Sequence, residues 1–416
     1  MGLAEAPLLL ALVGLAAYAV LGGADFGAGF WFLLAGRGRD GQRIRDHTFN
    51  AMGPVWEANH VWLIFVLVVC WTAYPVAFAS IASTLAIPLF IATVGVIMRG
   101  TAYALRSGNP SPRQDSAIGL VFSTSSVLTP FALGTAIGGI ASGRVPVGNA
   151  EGDLITSWLN PMSILIGVLA VTTAAYLSAV FLAADAARQH DEPMTAAFRI
   201  RALLVGVVAG AIALGGLEVV RQDADDLFEG LTEGVGLAAL LTSVAAGIAT
   251  LALVWRSKFE PARYAAAVAV GSVVAGWGVA QSPTFLPGLT VQEAAAEDST
   301  LVALLVGLGV GAFILVPSLF VLFRLVLTGR FDPGASVSAA PTGRTAEAVD
   351  SGRLALGLPA AVGAGAALVL VVAAASWLQV AAALVMLGAI AVVLPSLLTR
   401  SEPDDKAGRR FADSAD

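Results

Sequence analysis

The side chains most able to do chemistry are concentrated in "GPVWEANHVW", residues 53–62, where Glu57, Asn59 and His60 interrupt an apolar run flanked by Trp56 and Trp62. Glu57 and His60 stand three residues apart, a spacing that puts them on one helix face, where a carboxylate and an imidazole can hand a proton between them. A second carboxylate, Asp25, lies in "GGADFGAGFW", residues 22–31, among glycine, alanine and aromatic residues. A charged side chain at the centre of a membrane helix costs about 2.5–3.5 kcal/mol. Each acid is therefore either a hydrogen-bonded structural group or a station for protons. At 1.5 Å per residue, Asp25 lies about 18 Å before Arg37 and Glu57 about 18 Å after Arg45, which predicts similar depths on two antiparallel helices.

His60 invites a reading as a haem or metal ligand, but such a site needs companions. The other histidines, His47 and His190, fall in basic segments between spans, and Cys70 is the single cysteine. No metal site, disulfide or iron–sulfur site is expected on this chain. The glycines around Asp25 superficially resemble a nucleotide loop, yet they lie inside an apolar span. Gly23 and Gly27 have the small-xxx-small spacing that lets membrane helices approach closely. Trp56 and Trp62 are read as packing and interface anchors. Ser123, Thr124, Ser125 and Ser126, just before Pro130, either satisfy their own helix turns or line a water path.

The elements that must position these residues are membrane spans. The chain has 416 residues, of which 57% are hydrophobic and 12% charged, and it divides into apolar runs long enough to cross about 30 Å of hydrocarbon. With a net charge of −6 and no basic stripe, nucleic acid is excluded as a partner. Helices are expected near 7–35, 52–76, 79–104, 117–141, 157–186, 198–219, 234–255, 263–282, 299–327, 354–375 and 377–398. The first is expected to be a retained helix, because it lacks the basic start of a cleavable signal. With the N-terminus outside, all but Arg144 and Arg221 of the 23 Lys and Arg fall on the cytoplasmic side. The tail from Ser401 is then inside, and the long connection "QSPTFLPGLTVQEAAAEDST" is outside. The first and fifth helices are both long, run in the same direction, and end in small residues followed by arginine, which suggests two parallel four-helix units.

Three stretches, "LGGADFGAG", "GPVWEANHVW" and "GWGVAQSPTFLPGLTVQEAA", together resemble subunit II of the cytochrome bd quinol oxidases over roughly residues 5–327. The resemblance implies an all-α polytopic membrane protein of two four-helix bundles plus a peripheral helix, here with an additional C-terminal helix hairpin, about 11 spans in all. The corresponding boundaries are 1–145, 146–283, 284–327 for the outer loop and ninth helix, 328–352 for a flexible linker, 353–400 for the extra hairpin and 401–416 for a disordered tail. It also implies a heterodimer with a haem-bearing subunit I that carries b- and d-type haems, oxidises quinol and reduces oxygen to water. Small accessory subunits are further candidate partners, and the location implied is a bacterial or archaeal-type cytoplasmic membrane. The family's helix 2 acid, implicated in proton entry from the cytoplasm, falls on Glu57, with Asp25, His60 and Asn59 as companions. This chain departs from the family pattern at Gly22, where another acid is usual, and at His60, where Glu or Gln is usual. A proton-coupled secondary transporter and a purely structural scaffold are the competing classes.

Overall fold

A computed structural model describes residues 2–53, 55–106 and 111–327. Its helices are α1 (Ala6–Leu33), α2 (Gly38–Met52), α3 (Trp56–Ala73), α4 (Pro75–Thr84), α5 (Ala86–Arg106), α6 (Pro112–Ala141) and α7 (Pro161–Arg188). They continue with α8 (Glu192–Asp223), α9 (Asp225–Thr232), α10 (Gly234–Trp255) and α11 (Phe259–Gln281). A hairpin of β1 (Thr284–Leu286) and β2 (Leu289–Thr290), a short α12 (Val291–Ala294) and α13 (Asp298–Leu327) complete the described chain. Among the described residues, nine helices are long and apolar enough to cross a membrane. The protein is thus a largely helical, multi-pass membrane protein. The expected spans 354–375 and 377–398, the linker and the tail lie outside the described residues.

Most of the described chain forms one compact unit, comprising residues 2–100 and 119–327; residues 101–118 belong to a second unit, in which Arg106 Nε pairs with Asp115 Oδ1 at 3.3 Å. Within the larger unit α1 packs against α3 and α7, α7 against α8 and α11, and α10 against α11. The tightest approach made by α1 is at Gly27. A Cβ placed there would meet the Ala174 carbonyl oxygen of α7 at 1.9 Å and the Ser178 Cβ at 2.6 Å, so only glycine fits. Gly23, one turn earlier, would meet Leu177 Cδ1 at 3.3 Å, a flexible side-chain end that can give. Gly27→Ala is therefore expected to cost about 1–3 kcal/mol through overpacking, and Gly23→Ala much less. Thermal unfolding of the purified protein in detergent checks this, with a clear drop in midpoint expected for Gly27→Ala only.

Two elements differ from the sequence expectations. Residues 38–52, expected as a basic loop, form the amphipathic helix α2. Gly41, Ile44, Thr48 and Met52 turn inward at helical spacing while Arg39, Asp40 and Arg43 stay exposed. The span expected at 79–104 is preceded by α4, because Pro75 ends α3 at Tyr74 and starts a new helix that bends again at Leu85. The long loop after α11 is also folded. Its hairpin turns at Gly288 with φ +74°, Phe285 lies against Tyr74 at 5.0 Å between ring centroids, and Leu286, Val291 and Ala294 bury against Tyr74, Ala77 and Leu85. A capping box between Thr290 and Glu293 starts α12, and the Thr290 backbone N–H holds the Glu293 carboxyl below the ordinary range.

The charged ends of the bundle are internally paired. Arg43 of α2 bridges to Asp191, ahead of α8, at 2.9 Å, joining two of the basic segments. The two arginines left outside by the charge rule both have acidic partners: Arg144 meets Asp223 at 2.5 Å and Arg221 meets Glu218 at 2.7 Å.

Candidate functional site

Asp25 lies in α1 about 12 Å before the helix ends at Leu33, and its surface is fully buried. It is not a lone carboxylate. Arg99, reaching across from α5 and equally buried, donates from Nη2 to Oδ1 at 2.7 Å and from Nε to Oδ2 at 3.2 Å. The same Nη2 donates to the Asp25 backbone oxygen at 2.6 Å, and Nη1 reaches the Ser126 hydroxyl on α6. The Arg99 guanidinium also lies over two rings, 4.5 Å from the Phe122 centroid and 5.1 Å from that of Phe26, a cation–π environment that suits a desolvated charge. One ion pair thus ties α1, α5 and α6 together. The charge pattern places Arg99 among the cytoplasmic flanking residues, although it falls inside the span expected at 79–104. The structure corrects this: Arg99 lies about two turns before α5 ends at Arg106 and is buried against Asp25.

His60 of α3 completes the cluster from the other side. It is 8% exposed, with Nε2 3.9 Å from Asp25 Oδ2 and Nδ1 3.4 Å from the Tyr18 hydroxyl of α1. The rings of Phe26, Tyr18 and Trp56 surround it at 5.5, 5.9 and 6.1 Å between centroids. Asn59 is buried beside it. Asn59 Oδ1, His60 Nε2 and Trp62 Nε1 are buried atoms with no hydrogen-bond partner in the structure, the kind of gap that ordered water fills. Trp62 packs at the edge of the cluster formed by Tyr18, Phe26 and Ala174, and Trp56 covers Gly100 at 3.2 Å from a notional Cβ.

Glu57 stands apart from this. α3 begins at Trp56, so Glu57 occupies the first turn and is exposed. Two expectations are corrected. The carboxylates are not at the same level, because the helix starts only one residue before Glu57, and the residue opposite Asp25 is His60. Nor do Glu57 and His60 share an environment: three residues rotate a side chain through roughly 300°, and the boundary between buried and exposed surface passes through the remaining 60°. Of the α6 hydroxyls, Ser123 and Ser125 bond back to their own helix, to Gly119 O at 2.8 Å and Phe122 O at 3.0 Å. Ser126 is the one that meets Arg99. Among the described residues no group of three or more His, Cys, Asp or Glu side chains gathers as around a metal ion.

Apolar helices enclosing a buried ionic cluster define an α-helical, multi-pass membrane protein, and comparison with known proteins sharpens that class. The sequence profile described as "Cytochrome bd terminal oxidase subunit II" matches residues 3–326, and the chain belongs to that family, whose complexes are terminal quinol oxidases. It is 24% identical over 329 residues to the putative cytochrome bd menaquinol oxidase subunit II of Bacillus subtilis (strain 168), covering 75% of this chain and 92% of that one. It is 28% identical over 170 residues to the cytochrome bd-I ubiquinol oxidase subunit 2 of Escherichia coli (strain K12), covering 39% of this chain and 44% of that one. A solved bd oxidase chain from Geobacillus thermodenitrificans has the same fold, with a TM-score of 0.61 at 23% identity over 79% of this chain and 99% of that chain.

Proposed function

We propose that this chain is the haem-free subunit II of a cytochrome bd-type quinol oxidase, paired in the cytoplasmic membrane with a haem-bearing subunit I that oxidises quinol and reduces oxygen to water. In this reading the b- and d-type haems belong to the partner. This chain supplies a path for protons from the cytoplasm, with Glu57 at its mouth and Asp25, Asn59 and His60 farther in. Family membership across residues 3–326 is the observation that carries the oxidase assignment. The proton path is supported by an exposed acid, Glu57, one turn along α3 from the buried Asn59 and His60, whose Oδ1 and Nε2 atoms have no hydrogen-bond partner in the structure. The expectation that the 38–52 and 188–191 segments lie on one side of the membrane is supported by their joining through Arg43 and Asp191.

Purification from membranes after co-expression with the partner, followed by an absorption spectrum, tests the assignment. A stable complex with b- and d-type haem bands is the expected outcome. A chain that purifies alone, without haem and without a partner, would favour the transporter class instead.

A further inference from the structure

Resting on the proton-path reading above, we infer that the His60 imidazole is the proton-exchanging member of the buried cluster, and that the Asp25–Arg99 pair is a fixed charge frame that holds it. Both Asp25 carboxylate oxygens already accept from Arg99. Asp25 is therefore the counter-ion of a guanidinium that has no access to water, and breaking that pair would leave a buried charge uncompensated. His60 can change charge without breaking it.

Its two ring nitrogens face different partners. Nδ1 is within hydrogen-bond reach of the Tyr18 hydroxyl, and Nε2 points toward Asp25 Oδ2 across 3.9 Å with no direct bond. That gap is wide for a hydrogen bond and suits either one bridging water or a small ring movement. In the neutral ring Tyr18 donates to Nδ1, and the single N–H sits on Nε2. A proton arriving on the Tyr18 side binds Nδ1, giving an imidazolium with both nitrogens protonated and Tyr18 turned to act as acceptor. Loss of the Nε2 proton to a water bound beside Nε2 and Asp25 Oδ2 leaves the ring neutral in its other tautomer, with Nδ1–H donating to Tyr18. One proton enters and one leaves as hydronium, and a ring flip with return of the Tyr18 hydroxyl to donor resets the cycle.

Among the described residues, few ionisable groups surround the ring. Asp25 is the nearest charge, Arg99 lies beyond it across the pair, and Tyr18 is the other ionisable group that α1 turns toward the ring. On α3 itself Glu57 is exposed, and on α13, which also packs on α3, Asp298 and Arg324 are exposed near the two helix ends. Either nitrogen of an imidazole can carry the proton, and here one faces a carboxylate and the other a hydroxyl.

The test uses the intact complex with its partner subunit. Quinol-driven oxygen consumption is recorded from pH 5.5 to 9 for the parental protein, His60→Gln, Tyr18→Phe and Glu57→Gln, each normalised to haem content. Gln, a residue usual in the family at this position, keeps the size and hydrogen bonding of the imidazole but carries no exchangeable proton, so His60→Gln is expected to flatten the pH profile of turnover. Tyr18→Phe removes the partner of Nδ1 and is expected to shift the inflection of that profile while the haems stay in place. Parental turnover and an unchanged profile in His60→Gln would overturn the inference; if Glu57→Gln is slow in the same experiment, the proton path itself still stands. Should His60→Gln fail to assemble, Tyr18→Phe decides, since an unmoved inflection overturns the role and a moved one supports it.

Discussion

Arg99→Met, made alone, should leave little or no assembled protein. The substitution removes the guanidinium that satisfies both oxygens of a fully buried Asp25 and strands the carboxylate among Phe26, Phe122 and the walls of three helices. Breaking a buried pair from one side costs about 3–5 kcal/mol, against a total stability of about 5–15 kcal/mol for a typical folded protein. Asp25→Asn strands the opposite charge, so its first effect should be on assembly and only then on turnover. The double change Asp25→Leu/Arg99→Met removes both charges and fills similar volume, and it should recover most of the assembled protein. Size-exclusion profiles of the detergent-solubilised complex measure all three. Parental amounts of Arg99→Met complex would mean that the pair does not hold α1, α5 and α6 together.

The spans were legible because hydropathy and length are properties of single segments. Nine of the expected spans fall where helices are described, and the basic residues pointed to the ends that Arg43 and Asp191 bring together. What was not legible is what needs two distant segments at once. Arg99 and Asp25 are 74 residues apart, and in sequence Arg99 looks like any basic residue near a span end. Its role could have been suspected from its distance to Arg106, since an arginine about two turns inside a helix needs a buried partner. α2 was missed for a different reason: its mean character is polar, and only the inward set of Gly41, Ile44, Thr48 and Met52 betrays a helix.

In the site, residue types were read more reliably than their neighbours. Asp25, Asn59 and His60 are buried as their setting in apolar runs suggested, and Gly27 meets α7 as closely as its small neighbours allow. The pairing of Glu57 with His60 failed because a spacing of three tells only that two side chains are near on a helix, not on which side of them the protein lies. Tyr18 was not singled out at all; an aromatic residue in an apolar span carries no signal until the histidine 42 residues later is seen against its hydroxyl.

The central claim is that protons for oxygen reduction pass through this chain, entering at Glu57. As a purely structural residue, an exposed acid in the first turn of a helix contributes about 0.3–1 kcal/mol through the helix dipole, too little for its loss to unfold the protein. As the mouth of a proton path, its replacement by Gln removes proton exchange while keeping shape and hydrogen bonding, and loss of a positioned proton-transfer group slows a reaction by about 100-fold or more where that step is limiting. The two roles thus differ in turnover far more than in stability. The decisive measurement is oxygen consumption with quinol by the purified Glu57→Gln complex between pH 6 and 8, at haem content matched to the parental complex. The account predicts normal haem bands with most of the turnover gone, whereas normal haem bands with the parental rate across that range would contradict it.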